Sequence, residues 1–308
     1  MSDPREVDRS AHSKRLYVYE CRGAGLPRRE PVHPHFLGIW SEPPHYYYLF
    51  FSEPALPFVT EWSRGEPGWH LEGHYDLDYS QWQQLPDANQ VVGPFVISLS
   101  GPCARSTAER PAEDGLLITL DPGLVFGSGL HPTTRGSLLA ISHWLAAGRA
   151  QTAIDFGTGT GILALACAAC GAKRVLAVDC NPLAVRAALK NAARNRLEDR
   201  ITGIAANSLG AISSPQDLLV MNIEWPSLLQ VLQEGLWTQH TAIIASGYLK
   251  HQEGEVMTRF SRPGSHRLAW RHEEDGWPTL IFASETGLPG TLPAADGRSG
   301  LETRTATR

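Results

Sequence analysis

The stretch from Thr152 to Asp179 limits what this chain can fold into more than any other part of it. A short apolar run, Thr152 to Phe156, meets Gly157-Thr-Gly159-Thr-Gly161. An alanine-rich run, Ile162 to Ala169, follows, and a second short apolar run, Arg174 to Val178, ends on Asp179. Runs of these lengths, punctuated by glycine, predict strand, tight turn, helix and strand, which is half of a nucleotide-binding βαβ unit. Glycines allow positive φ and let a ligand approach the main chain, and the helix opening there offers unpaired N–H groups.

The spacing selects the ligand. An acid at the tip of the second strand accepts both hydroxyl hydrogens of an adenosine ribose, so Asp179 predicts adenosine with a free ribose rather than a ribose phosphate. Dinucleotide folds arrange G-x-G-x-x-G around a pyrophosphate. Here Gly157, Gly159 and Gly161 fall at every second position, and Asp155 stands two residues before the first. A carboxylate there suits a ligand that carries an ammonium group and no phosphate, which describes S-adenosylmethionine. Structural turns use the same glycines; it is Asp155, Asp179 and the flanking pattern that set this one apart.

The chain has 308 residues, room for two modest domains. At 42% hydrophobic and 19% charged residues it can bury a core, and its net charge of −5 argues against binding nucleic acid by bulk electrostatics. No apolar run reaches the roughly 18 residues of a membrane span, and Met1 to Arg15 lacks the apolar stretch of a signal peptide, so a cytoplasmic protein is expected. Five cysteines form no disulfide framework, and Cys167-Ala-Ala-Cys170 lies in the predicted helix, where packing is the simpler reading. Twelve scattered histidines show no H-E-x-x-H pattern, and no metal site is predicted.

Along the chain, residues 1–13 and 285–308 read as disordered ends. Residues 14–100 form a small α+β module, mostly antiparallel, with a helix from Pro54 to Ser63 and a helical turn at Tyr79 to Gln84. In the aromatic run Tyr46 to Phe51, alternate members are expected to build a core. Residues 101–115 read as a linker. Residues 116–284 form the second domain. In it, a loop from Asp121 to Thr134 ends in threonines that cap a helix from Thr134 to Ala147, and the βα series that follows closes with an antiparallel hairpin, His266 to Arg271 and Pro278 to Ala283. That reversed strand predicts the α/β sheet of class I methyltransferases: Rossmann-like, seven strands, one reversed.

Specific motifs carry a resemblance. Asp121-Pro-Gly through Phe126-Gly-Ser-Gly129-Leu-His131-Pro-Thr-Thr134 resembles the signature of the bacterial ribosomal protein L-eleven methyltransferases (PrmA type). So do Ile154-Asp-Phe-Gly157-Thr-Gly-Thr-Gly-Ile-Leu-Ala, Val178-Asp179-Cys-Asn-Pro-Leu-Ala-Val185, Met221-Asn222-Ile223 and Ser246-Gly247-Tyr-Leu. The resemblance implies S-adenosylmethionine as cofactor, with contacts at Thr134, Gly157, Asp179 and Asn222; the turn itself adds Asp155 and Gly159. Asn222 is the candidate for orienting the acceptor, and Glu224 and Trp225 border its channel. The sequence departs from the pattern at Glu224-Trp225-Pro226, at Asn207 where the family has an acid, and in the proline-rich Arg22 to Pro34.

The expected function is therefore a protein methyltransferase, acting on lysine or α-amino groups of a large-subunit ribosomal protein as a monomer, with no nucleic-acid or membrane partner. The alternatives are methylation of another protein lysine or of a small molecule, and a non-catalytic cofactor-binding protein.

Overall fold

The computed structural model describes residues 15–25, 27–42, 45–78, 89–99, 115–121, 123, 125, 129, 131–148, 150–261 and 264–285. The expected disordered N-terminus, all of the expected disordered tail but Glu285, the helical turn at 79–84 and nearly all of the 101–115 linker lie outside these residues.

Strands β1 (Arg15–Arg22), β2 (Phe36–Glu42), β3 (Tyr46–Phe51) and β4 (His70–Asp78) form an antiparallel sheet in the order β2-β3-β1-β4. Helix α1 (Leu56–Gly65) lies between β3 and β4 and starts with proline in its first turn. The aromatic run obeys the strand period of two. Tyr47, Leu49 and Phe51 join Val59 and Trp69 in one core, while Phe50 turns to the other face with Leu16 and Val18.

The second body is a seven-stranded sheet in the order β10-β9-β8-β11-β12-β14-β13. Its elements are β8 (Thr152–Phe156), α3 (Ile162–Ala169), β9 (Arg174–Asp179), α4 (Pro182–Arg194), β10 (Ile201–Ala205), β11 (Leu218–Asn222), α5 (Trp225–Glu234), β12 (Ala242–Ser246), α6 (Glu253–Phe260), β13 (His266–Glu274) and β14 (Trp277–Ser284). All pairings are parallel except those of β14, which runs antiparallel to β12 and β13. This is the expected sheet with its one reversed strand. Leu218 to Met221 on β11 are buried on both faces, as a central parallel strand demands. Helix α2 (Pro132–Leu145) packs against β14, β12 and α3. The cysteines of α3 are free; Cys167 is fully buried, and burial pushes the Cys170 thiol up to about 11.

Two local expectations need correction. Residues 90–99 were assigned to the N-terminal module. They form β5 (Gln90–Val92) and β6 (Phe95–Leu99), and β6 pairs in parallel with β7 (Leu116–Leu120). Phe95, Ile97, Ile118 and Leu120 share a core with α2 and α3, so this segment packs on the second body. The pairing partner lies across the linker, beyond the reach of local periodicity. Second, α2 begins at Pro132, capped by His131 whose Nδ1 accepts the Thr133 N–H, 3.3 Å. The fixed φ of proline suits the first helical position, so both threonines lie inside the first turn rather than capping it.

Two buried histidines join the loop before β12 to β13. His240 Nδ1 accepts the Gln216 N–H (3.0 Å), and His266 Nε2 donates to the His240 carbonyl (2.7 Å). Burial pushes both imidazoles down. A depressed folded-state pKa favours the neutral ring, so this stabilisation is present above the unfolded value of about 6.5 and is lost as pH falls through the folded values. The urea midpoint is expected to drop between pH 7.5 and pH 5.5, with a smaller drop in His266→Gln; equal drops in both proteins would exclude the pair as the cause.

Candidate active site

The chain runs outward from β8 through β9 to β10, then returns to β11 and runs the other way to β12. The order reverses between β8 and β11, which opens a crevice at the carboxyl ends of these strands. The predicted residues collect along this edge.

At the end of β8 the turn holds Gly157, Gly159 and Gly161 at φ of 80°, 53° and 84°. The N–H groups of Gly157 and Thr158 both donate to the Val178 carbonyl, tying the turn to β9. Asp155 sits beneath the turn, fully buried. Its Oδ2 accepts the Thr158 hydroxyl (2.6 Å) and the Ala164 N–H (3.0 Å) in the first turn of α3. Its Oδ1 is buried without a hydrogen-bond partner among the described residues. Burial pushes the carboxyl up to about 7, against the opposing pull of its two donors. The sequence suggested an acid facing a ligand's ammonium group; the structure gives Asp155 the work of bracing the turn, with one acceptor left over.

Asp179 ends β9. Its Oδ2 accepts the Gly159 N–H (3.0 Å) and its Oδ1 the Asn181 N–H (2.9 Å), so the acid and the turn are joined. Burial raises its pKa. Asn181 in turn caps α4 by accepting the Leu183 N–H, 2.9 Å. Across the crevice, Asn222 at the end of β11 donates from Nδ2 to Thr134 Oγ1 (3.3 Å), joining residues 88 positions apart.

Ile223 follows Asn222 and is held between two glycines. A Cβ on Gly157 would lie 2.3 Å from Ile223 Cγ2, and one on Gly247 would lie 2.1 Å from the Ile223 carbonyl oxygen. Glu224 is exposed at the N-cap of α5 and makes no side-chain cap. Burial raises the Cys180 thiol, and the Asp179 carboxylate beside it raises it further. Trp225, half-buried, opens α5 with its ring 6.4 Å from that of Tyr248. Tyr248 is buried, and its hydroxyl has no partner among the described residues.

The structure adds two site residues that the sequence reading passed over. Trp277, first in β14, meets the His131 ring edge-on at 4.8 Å. Asn191 on α4 bonds to the backbone of both the turn and the end of β7. The Asp275-Gly276 hairpin turn locates Trp277 in sequence, but only the reversed β14 brings it to this edge.

Residues 82–285 match the profile of the family described as Ribosomal protein L11 methyltransferase (PrmA). The chain belongs to this family. It is 34% identical over 175 residues to the ribosomal protein L11 methyltransferase of Carboxydothermus hydrogenoformans, covering 56% of each chain. It is 36% identical over 173 residues to that of Pelotomaculum thermopropionicum, covering 56% of this chain and 55% of the relative. The match thus spans about half the length of these curated relatives. A solved ribosomal protein L11 methylase from Lactobacillus delbrueckii subsp. bulgaricus superposes with a TM-score of 0.55 at 29% identity, covering 62% of this chain and 95% of that one. As a member of the L11 methyltransferase family, the chain carries every candidate site residue inside the matched segment, while the β1–β4 sheet precedes it.

Proposed function

We propose that the chain is an S-adenosylmethionine-dependent methyltransferase that modifies lysine or α-amino nitrogens of ribosomal protein L11, working as a monomer in the cytoplasm. The observation that carries this reading is the meeting, at one sheet edge of an L11 methyltransferase family member, of the Asp179–Gly159 pair and the Asn222–Thr134 pair. No helix among the described residues is long and apolar enough to cross a membrane.

The residues present fit the cofactor. Gly157, Gly159 and Gly161 carry no side chains and Thr158 and Thr160 are buried, so the turn can be approached closely, and Asp155 Oδ1 is a buried acceptor without a partner among the described residues. Asp179 keeps lone pairs beyond the two it uses and would hold the ribose hydroxyls. Thr134 and the turn would hold the rest. When bound, S-adenosylmethionine supplies an electrophilic methyl group on a sulfonium; the protein's task is alignment and the exclusion of water.

The acceptor must present a lone pair. A lysine ammonium with pKa about 10.4 costs roughly 4.6 kcal/mol to neutralise at pH 7, an α-amino group far less. With Nδ2 engaged by Thr134, Asn222 Oδ1, which accepts no hydrogen bond from the described residues, would accept an amine hydrogen and point the nitrogen inward. Glu224, exposed at the N-cap of α5, would attract the incoming ammonium, whose proton passes to solvent water before transfer. Trp225 would wall the channel and lower the dielectric around the amine, which depresses its pKa.

The test is labelled methyl transfer to purified ribosomal protein L11, read by intact mass. Stepwise methyl increments on L11 are expected. Trp225→Ala should lower kcat/KM for the protein acceptor about tenfold, a loss near 1.4 kcal/mol, with calorimetric cofactor affinity unchanged; equal loss of both would remove Trp225 from the channel. A second reading, a different protein or small-molecule acceptor, is favoured by the position of the β1–β4 sheet outside the matched segment. Label in other cell components and none on L11 would establish it.

A further inference from the structure

Among the described residues, strand β7 pairs with β6 on one side only. Its other edge is read by two side-chain amides of α4. Asn195 Oδ1 accepts the Thr119 N–H (2.8 Å) and its Nδ2 donates to the Thr119 carbonyl (2.7 Å). Asn191 Oδ1 accepts the Asp121 N–H (2.9 Å) and its Nδ2 donates to the Asp121 carbonyl (2.9 Å). The spacing explains why this works. Four residues of helix advance about 6.0 Å, and two residues of strand advance about 6.6 Å. Amides at i and i+4 therefore meet alternate peptides of a strand, as a neighbouring strand would. Arg194 (3.0 Å) and Lys190 (3.5 Å) hold the Asp121 carboxylate and reinforce the same junction.

The two rungs differ in one respect. The second Nδ2 hydrogen of Asn195 returns to its own helix, at the Asn191 carbonyl (2.7 Å), whereas that of Asn191 reaches the Thr160 carbonyl in the glycine turn (2.9 Å). Asn191 is fully buried. Three residues earlier on α4, the Ala188 Cα lies 2.8 Å from where a Cβ on Gly161 would stand, so helix and turn are in close contact. One buried amide thus bonds at once to the turn and to the peptide where β7 ends.

We infer that Asn191 is a positioning residue for the cofactor, coupling the conformation of the Gly157–Gly161 turn to the end of β7, while Asn195 secures the strand alone. The inference rests on the functional reading given above. With Asn191 absent, the Thr160 carbonyl loses one donor that holds it to α4, and the Thr160–Gly161 end of the turn is fixed less firmly than the Gly157–Gly159 end, which is tied to Val178 and Asp179.

The experiment is calorimetric titration of S-adenosylmethionine into the full-length protein and into Asn191→Ala and Asn195→Ala. Both variants lose paired backbone bonds and are expected to have lowered melting temperatures. Only Asn191→Ala is expected to bind the cofactor more weakly, by about tenfold, the equivalent of one hydrogen bond. Equal weakening in both variants, or none in Asn191→Ala, would overturn the inference. Absence of binding by the unmodified protein would overturn the functional reading and this inference with it. A measurement on the unmodified protein covers failure of a variant to fold: the cofactor should slow hydrogen exchange of the Asp121 N–H and leave that of Thr119 unchanged. Slowing at both or at neither would likewise overturn it.

Discussion

Gly247→Ala is expected to destabilise the protein by about 3 kcal/mol or more, from a left-handed backbone that alanine resists and an overpacked contact it cannot relieve. Gly247 has φ of 93°, and its added Cβ would meet the Ile223 backbone at oxygen, carbon and nitrogen, 2.1 to 2.8 Å away. A flexible side chain could swing aside, but this is main chain. Moving it displaces Asn222 and Glu224 on either side. Gly254 in α6 provides the control: it is exposed, and nothing lies within 4 Å of its added Cβ. Gly254→Ala should be neutral or stabilising by up to about 1 kcal/mol. Urea unfolding of the two variants measures the difference, and coincident midpoints would show that the Ile223 contact relaxes at no cost.

Asp179→Ala is expected to weaken cofactor binding by about 1–3 kcal/mol, roughly ten- to a hundredfold. The loss has two sources. The ribose would lose its acceptor, and the Gly159 and Asn181 N–H groups would lose theirs. Asp179→Asn retains a carbonyl for one of these donors and should fall between. Calorimetry with S-adenosylmethionine decides the matter; affinity unchanged in Asp179→Ala would refute the ribose assignment.

These two residues also mark the limit of what could be read from sequence. Asp179 was legible because its signal is local. An apolar run, a glycine turn and a second run place an acid at the tip of the next strand, and the Asn181-Pro182 cap confirms where the following helix starts. The alternation of strand and helix and the closing hairpin sufficed for the sheet with its reversed strand. Gly247 was legible only as part of a motif. Its steric role depends on Ile223, which reaches it through the register of β11 against β12. The Thr134–Asn222 bond and the pairing of β6 with β7 were hidden for the same reason, since neither partner lies within the window over which periodicity is measured. Asp155 is a different case. Its type and spacing were read correctly, but burial decides what a carboxylate faces, and its neighbours here are Thr158 and Ala164.

The seating of Ile223 bears on how such a protein could change its preferences over evolutionary time. The backbone leading to Glu224 and Trp225 is located by two bare glycines, Gly157 against the Ile223 side chain and Gly247 against the Ile223 main chain, and by the packing of Ile223 and Trp225 on the core. On the proposed reading, substitutions at the exposed Glu224 alter what enters the crevice while Asn222 keeps its bond to Thr134. On that reading acceptor choice can change while the cofactor half is kept, and Gly157 and Gly247 are positions where an added side chain would displace Ile223.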